Sequence, residues 1–297
     1  MKFNLLIFLF LPNCLLAQDF LIQDYGAKDS AIFKIINNNK LVKRIAFSTS
    51  FLKTEMINFI TEWDVSKNGI IYFTNGINIY QVNKDYTISK KLSSLNNILE
   101  FTIQHNNAYI IYNTDTTEAI GDHRYDGNDK FIKLNFLNDK IDTIKLPNYI
   151  NVSNLCISPN EKFAIFFYTK DLTETTYGIT YLMLMDFKNG KIEKIDSANS
   201  VYQMGVDGLK HVLYWVDDSS FLYLNGYFKD RHPIFQYSLK SKTRKKVFME
   251  PQIGENWFCY SNGYYYFEGG DGFYKTNGSK EIPVFNDEKL LNVKLLR

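Results

Sequence analysis

A short apolar run that follows a polar turn recurs along the whole chain, and this repeat limits the fold more than any other feature. The runs are Phe20 to Tyr25, Ile70 to Phe73, Ala108 to Tyr112, Phe163 to Tyr168, Phe221 to Leu224 and Tyr264 to Phe267. Each is a bounded apolar segment of strand length. Turn signals precede most of them: Lys67-Asn68-Gly69, Asn106-Asn107, Pro159-Asn160-Glu161, Asp217-Asp218-Ser219 and Ser261-Asn262-Gly263. A second run follows each first one, namely Ala31 to Ile36, Ile77 to Val82, Phe131 to Phe136, Thr180 to Phe187, Ile234 to Leu239 and Gly272 to Lys275. A third, more basic segment closes each unit: Lys40 to Ile45, Thr87 to Leu92, Ile141 to Leu146, Lys191 to Ile195, Thr243 to Phe248 and Lys280 to Phe285. Alternation in Lys191-Ile192-Glu193-Lys194-Ile195 suits a half-exposed outer strand whose lysines discourage edge pairing.

A further apolar stretch stands before the first run of a unit, as in Ile57 to Trp63, Val152 to Ile157 and Trp257 to Tyr260. The pattern therefore predicts an all-β chain of six four-stranded antiparallel units, about 47 residues each, a period that belongs to propellers. Radial repetition of such sheets protects their edges. The first unit lacks its own inner strand, and Lys289 to Leu296 is apolar enough to supply it. The expected fold is a six-bladed β-propeller whose ring is closed by the C-terminal strand pairing with the N-terminal blade. Aromatic residues, 16% of the chain with 21 Tyr and 24 Phe, fit these pleated surfaces.

Ile157-Ser158-Pro159-Asn160-Glu161-Lys162-Phe163 resembles the Ser-Pro-Asp-Gly-Lys signature of TolB-like, WD40-like propeller repeats. Asp64-Val65-Ser66-Lys67-Asn68-Gly69-Ile70 is a weaker copy, with Lys67 where proline is usual. The resemblance implies a propeller that binds proteins or small ligands, and it transfers no catalytic residue.

The N-terminus bears on compartment. Lys2 precedes the apolar run Leu5 to Leu11, which is too short to span a bilayer, and Leu15-Leu16-Ala17 offers a small residue for cleavage. Residues 1–17 read as a signal peptide and 18–297 as a single domain, periplasmic or secreted. Lipidation at Cys14 is the rival, and Pro12-Asn13 fits a lipobox poorly. Of the remaining cysteines, Cys156 and Cys259 fall on inner strands of non-adjacent units, too far apart for the roughly 7 Å Cα limit of a disulfide. Both are expected to be free and buried.

Three connections between second and third strands are overgrown, and in a propeller these emerge on one face. They carry Asp122, His123, Arg124, Tyr125, Asp126 and Asp129, then Asp171, Glu174 and Tyr177, then Tyr227, Asp230, Arg231 and His232. Long loops on a rigid scaffold are where binding concentrates. These residues form the expected binding face, although Asp, Asn and Gly are also ordinary turn residues.

Asp122, Asp126, Asn128 and Asp129 offer hard oxygens for calcium, but their spacing departs from the EF-hand loop. No other cofactor and no metal site is indicated. Paired loop carboxylates would suit a hydrolytic, carbohydrate-active propeller, the alternative to a non-enzymatic binding protein. The chain has no Gly-x-Ser-x-Gly and no His-Glu-x-x-His. A net charge of +2 argues against a nucleic-acid footprint. The expected partner is an envelope protein or a small-molecule or glycan ligand, bound by a monomer without a transmembrane segment. Trp63, Trp215 and Trp257 are expected in the core between blades.

Overall fold

The computed structural model describes residues 19–24, 30–37, 40–54, 60–92, 95, 97–113, 129–146, 152–170, 179–198, 213–224, 233–249, 258–269, 272–277, 280–285 and 290–296. The strands, in chain order, are β1 (Asp19–Asp24), β2 (Ser30–Asn37), β3 (Lys40–Ser48), β4 (Glu62–Val65), β5 (Ile71–Thr74), β6 (Ile79–Val82) and β7 (Ile88–Leu92). Next come β8 (Ile98–Gln104), β9 (Asn107–Asn113), β10 (Asp129–Asn135), β11 (Ile141–Ile144), β12 (Val152–Ile157), β13 (Phe163–Lys170), β14 (Ile179–Asp186) and β15 (Ile192–Ala198). The last are β16 (Leu213–Asp217), β17 (Ser220–Leu224), β18 (Pro233–Ser238), β19 (Thr243–Met249), β20 (Phe258–Ser261), β21 (Tyr264–Gly269), β22 (Gly272–Thr276), β23 (Glu281–Phe285) and β24 (Leu290–Leu296).

Among the described residues these strands form six four-stranded sheets, and every pairing is antiparallel. The protein is an all-β propeller with four-stranded antiparallel blades. Sheets β4 to β7, β8 to β11, β12 to β15, β16 to β19 and β20 to β23 are each consecutive in sequence, and the remaining sheet runs β24-β1-β2-β3. In that sheet Ile22 pairs with Val293 and Phe20 with Leu295, so the C-terminal strand is the innermost strand of the N-terminal blade. Neighbouring inner strands touch in the order β24, β4, β8, β12, β16, β20.

Apolar side chains fill the spaces between sheets. Phe33 and Phe47 of the N-terminal sheet pack with Trp63, Phe73 and Tyr80 of the next. Tyr72 and Ile79 meet Ile103, Ile110 and Ile132. Tyr109 and Phe131 meet Leu155, Phe166 and Met185. Phe167 and Leu184 join Trp215, Phe221 and Tyr223, with Phe267 beyond them. Ile36 then packs with Cys259, Tyr266 and Phe273, bringing the last sheet against the first. Each large side chain buried here contributes about 2–3 kcal/mol.

Aromatics mark the same joint in successive blades: Tyr72 stacks on Phe136 at 3.9 Å, and Tyr109 stacks on Phe187 at 5.7 Å. Burial pushes the Tyr72 phenol up to about 12.

Inner strands do not pair with one another as a ladder, so their free backbone groups need other partners. Asp64 Oδ2 accepts from Ile103 N at 2.8 Å and from Thr102 Oγ1 at 3.2 Å. Glu100 accepts from Asn154 N at 2.9 Å and Leu155 N at 3.2 Å, and Trp215 Nε1 donates to the Cys156 carbonyl at 3.2 Å. Side chains on β4, β8 and β16 thus bridge each to a neighbouring inner strand.

Some boundaries depart from the sequence reading. Of the stretch Ile57 to Trp63, residues 57–59 lie outside the described residues and the strand found is Glu62–Val65; a 3-10 turn at Ser50–Thr54 comes earlier, with Leu52 in the core. Cys156 and Cys259 form no disulfide, and only Cys259 is fully buried, while Cys156 in β12 is half-buried. Trp63 and Trp215 are core residues, and Trp257 lies outside the described residues.

Deleting residues 288–297 removes β24 and exposes the inner edge of β1. We expect the melting temperature to fall by about 10 °C or more, at 2–4 °C per kcal/mol for a chain this size; an unchanged melting curve would mean β24 contributes nothing to closure.

Candidate functional site

The described residues place a polar cluster at the joint between sheets β8–β11 and β12–β15, built around Glu161. The turn Ser158-Pro159-Asn160-Glu161 is shaped by its own hydrogen bonds. Glu161 N donates to Ser158 O at 2.9 Å, and Ser158 Oγ accepts from Lys162 N at 3.1 Å and Phe163 N at 2.9 Å. Ser66 to Ile70 makes the same turn, with Gly69 N donating to Ser66 O. Gly69 has φ +73° there, and Glu161 takes the equivalent position with φ +55°. The left-handed conformation costs a residue with a Cβ about 1 kcal/mol or more, so a glutamate at a glycine position needs a compensating interaction.

That interaction comes from the neighbouring sheet. Tyr109 Oη donates to Glu161 Oε2 at 2.8 Å, and Lys133 Nζ donates to the same oxygen at 2.7 Å. Asn107 Nδ2 reaches Oε1 at 3.0 Å and Oε2 at 2.8 Å, and His105 Nδ1 lies 2.8 Å from Oε1. Register explains the convergence. Lys133 is the ladder partner of Tyr109, and Asn107 and Tyr109 point the same way two residues apart on β9.

The Glu161 side chain is 14% exposed. Burial alone would raise its carboxyl. Hydrogen bonds from Lys133, His105, Tyr109 and Asn107 outweigh burial and hold it below the ordinary value. Burial first, then the bond to Glu161, pushes the Tyr109 phenol far up, so it remains a donor.

A cavity of about 300 Å³ lies beside this cluster, lined by Tyr109, Lys133 and Glu161 and, among others, Asp142, Met185 and Phe187. Chemically, the carboxylate has little capacity left for a substrate proton, because its roughly four lone-pair sites are filled. It acts as a joint between blades. A related joint lies one sheet further on, where Asp196 accepts from Tyr223 Oη at 2.8 Å and from Arg244 Nη1.

Of the residues expected to form the binding face, only Asp129 is among those the structure describes. Asp129 opens β10, while Asp122, His123, Arg124, Tyr125, Asp126, Asp171, Glu174, Tyr177, Tyr227, Asp230, Arg231 and His232 lie outside the described residues. Topology still places the strand ends that carry them. Connections 114–128, 171–178 and 225–232 leave the ends of β9, β13 and β17, opposite the ends where the Glu161 and His105 turns lie. Among the described residues no three His, Cys, Asp or Glu side chains gather to hold a metal ion. In the sequence Glu161 reads only as a turn residue. The available signal was an acidic residue where the repeat signature has glycine.

Comparison with known proteins agrees at the level of fold. No family model matches the sequence, and no curated protein matches it. A chain of the nidogen/laminin complex superposes with TM-score 0.61 at 10% identity, covering 95% of this chain and 98% of that one. The β-propeller domain of the Trilobed protease from Pyrococcus furiosus superposes with TM-score 0.51 at 13% identity, covering 89% of this chain and 80% of that one. That domain has an open velcro topology, whereas β24 here pairs with β1.

Glu161→Ala would leave Lys133 and Tyr109 without their partner and should cost about 3 kcal/mol in denaturant unfolding. Because the folded carboxyl titrates below its ordinary value of 4.5, its contribution is present above that pH and is lost as pH falls through the lower folded value. Glu161→Gln should therefore flatten the acid limb of the stability curve; a wild-type limb in the variant would assign that limb to other carboxylates. The fold is that of the β-propellers, the architecture of the TolB-like repeats that the Ser158 turn resembles.

Proposed function

We propose that this chain is an exported, six-bladed propeller that recognises an envelope protein or a small-molecule or glycan ligand through one face of its ring and catalyses no reaction. The observation that carries this reading is the asymmetry of the two faces. On the face holding the Glu161 turn, the longest connections, such as 66–70 and 158–162, are five residues. On the other face, connections 114–128 and 199–212 are far longer, and 114–128, 171–178 and 225–232 sit on three consecutive blades. A rigid ring with overgrown connections on one side is a scaffold for recognition.

Asp122, His123, Arg124, Tyr125, Asp126 and Asp129, with Asp171, Glu174, Tyr177, Tyr227, Asp230, Arg231 and His232, are the proposed contacts. Export rests on the apolar run Leu5 to Leu11 followed by Ala17. The resemblance to TolB-like repeats supports binding over turnover. The carboxylates at the described joints, Asp64, Glu100, Glu161 and Asp196, are engaged by donors from adjacent blades. That engagement suits structure better than acid-base chemistry.

The test is affinity capture from envelope extract with the intact chain, repeated with residues 114–128 replaced by Asn-Gly. Capture of a discrete partner, weakened about tenfold or more by the replacement while the melting temperature holds, is the expected result. Hydrolysis of a glycan panel that disappears in Asp122→Asn, Asp126→Asn or Asp230→Asn would instead make the chain an enzyme.

A further inference from the structure

The outer rim of the first two blades carries an exposed apolar and basic patch on the short-turn face. Leu41 is 52% exposed and Val42 64%, although both lie in β3. Lys40, Lys43 and Arg44 on the same strand are exposed. Tyr86, at the turn between β6 and β7, is 39% exposed. Lys43 Nζ lies 5.5 Å from the Tyr86 ring centroid, which joins the two blades in one surface.

Tyr86 is held in an unfavourable conformation. Its φ is +65°, and the same place in later blades is taken by Asp139 (φ +54°), Gly190 (φ +66°) and Lys242 (φ +54°), none of them aromatic. A bulky aromatic in the left-handed region is an outlier, and strain kept without burial points to use at the surface.

Where the chain enters the ring matters as well. Asp19 pairs with Asn37 on one side and Leu296 on the other. Asn37 leads through two residues to Lys40. The chain therefore enters the ring at the Lys40 end of this blade.

We propose that this patch docks the propeller onto an anionic lipid surface. Leu41, Val42 and Tyr86 enter the headgroup region, and Lys40, Lys43, Arg44 and Lys84 face the phosphates. Tyrosine is favoured at that interface, and basic residues near it add electrostatic attraction. Asp85, which accepts from Thr87 N at 3.1 Å and Oγ1 at 2.6 Å, stays ionised and offsets one charge, and Lys40, Lys43, Arg44 and Lys84 outnumber it.

Charge separates this surface from the other exposed apolar one. Leu137 is 76% exposed and Ile141 47%, but their neighbours Asp139 and Asp142 offset Lys140, which pairs with Asp142 at 2.8 Å. Docking through the short-turn rim also turns the long-connection face toward solvent and partners.

The test is co-sedimentation of residues 18–297, the exported form, with vesicles of phosphatidylcholine alone or with about 30% phosphatidylglycerol, at low and high salt. Every form lacks the apolar run Leu5 to Leu11, so binding reads the patch. Wild type is expected to prefer the anionic vesicles and to lose that preference at high salt. The variant L41S/V42S/Y86S should bind about tenfold more weakly, and K43Q/R44Q about 25-fold. The control L137S should bind as wild type does. Melting curves identify any misfolded variant, for which Val42→Ser alone substitutes. Equal binding by wild type and the patch variants, or no preference for anionic vesicles, would overturn the proposal. Binding of soluble polyglutamate with no vesicle binding would overturn it in favour of an acidic peptide site.

Discussion

The antiparallel pairing of β24 with β1 places both ends of the described chain in one sheet, and the rest of the structure depends on it. A four-stranded blade buries its faces only against other blades. A row of blades would leave two apolar faces open, one at each end. Because the N-terminal sheet takes its innermost strand from the C-terminus, those two faces meet. Ile36 comes to lie against Cys259, Tyr266 and Phe273, and no terminal blade is left exposed. The same pairing makes the ring a long-range structure, since Ile22 and Val293 come together only after the intervening strands are placed.

Closure alone leaves the edges of the inner strands without ladder partners, and the sequence answers with side chains. Asp64, Glu100 and Trp215 each reach a backbone group on the next or preceding inner strand. Farther out, Glu161 and Asp196 take the hydroxyl of a buried tyrosine and a cation from an adjacent blade. A buried carboxylate is tolerable only when paired and hydrogen-bonded, and Glu161 meets that condition with donors from β9, β10 and the His105 turn. The left-handed backbone at Glu161 aims its carboxylate across the joint.

Much of this fold was legible in the sequence, because the signals are local. Ala108 to Tyr112 and Phe163 to Tyr168 are apolar runs between turn residues, and they become β9 and β13. The apolar tail Lys289 to Leu296, which could also have packed outside the ring as a short helix, supplies the missing inner strand as β24. The Glu161 joint was not legible. Its donors lie 28 to 56 residues away in sequence, and a tyrosine such as Tyr109 reads as core whether or not its hydroxyl has a carboxylate to meet. Exposed strain at Tyr86 was equally hidden, since a turn residue's φ cannot be read from its side chain.

Hydrogen exchange tests the closed ring most directly. In the intact chain at neutral pH, peptides covering 19–24 and 290–296 are expected to exchange slowly and together, as two strands of one sheet that opens only when the ring unfolds. Exchange of 290–296 within seconds, with 19–24 still protected, would show an unpaired tail and contradict the closure on which the other joints rest.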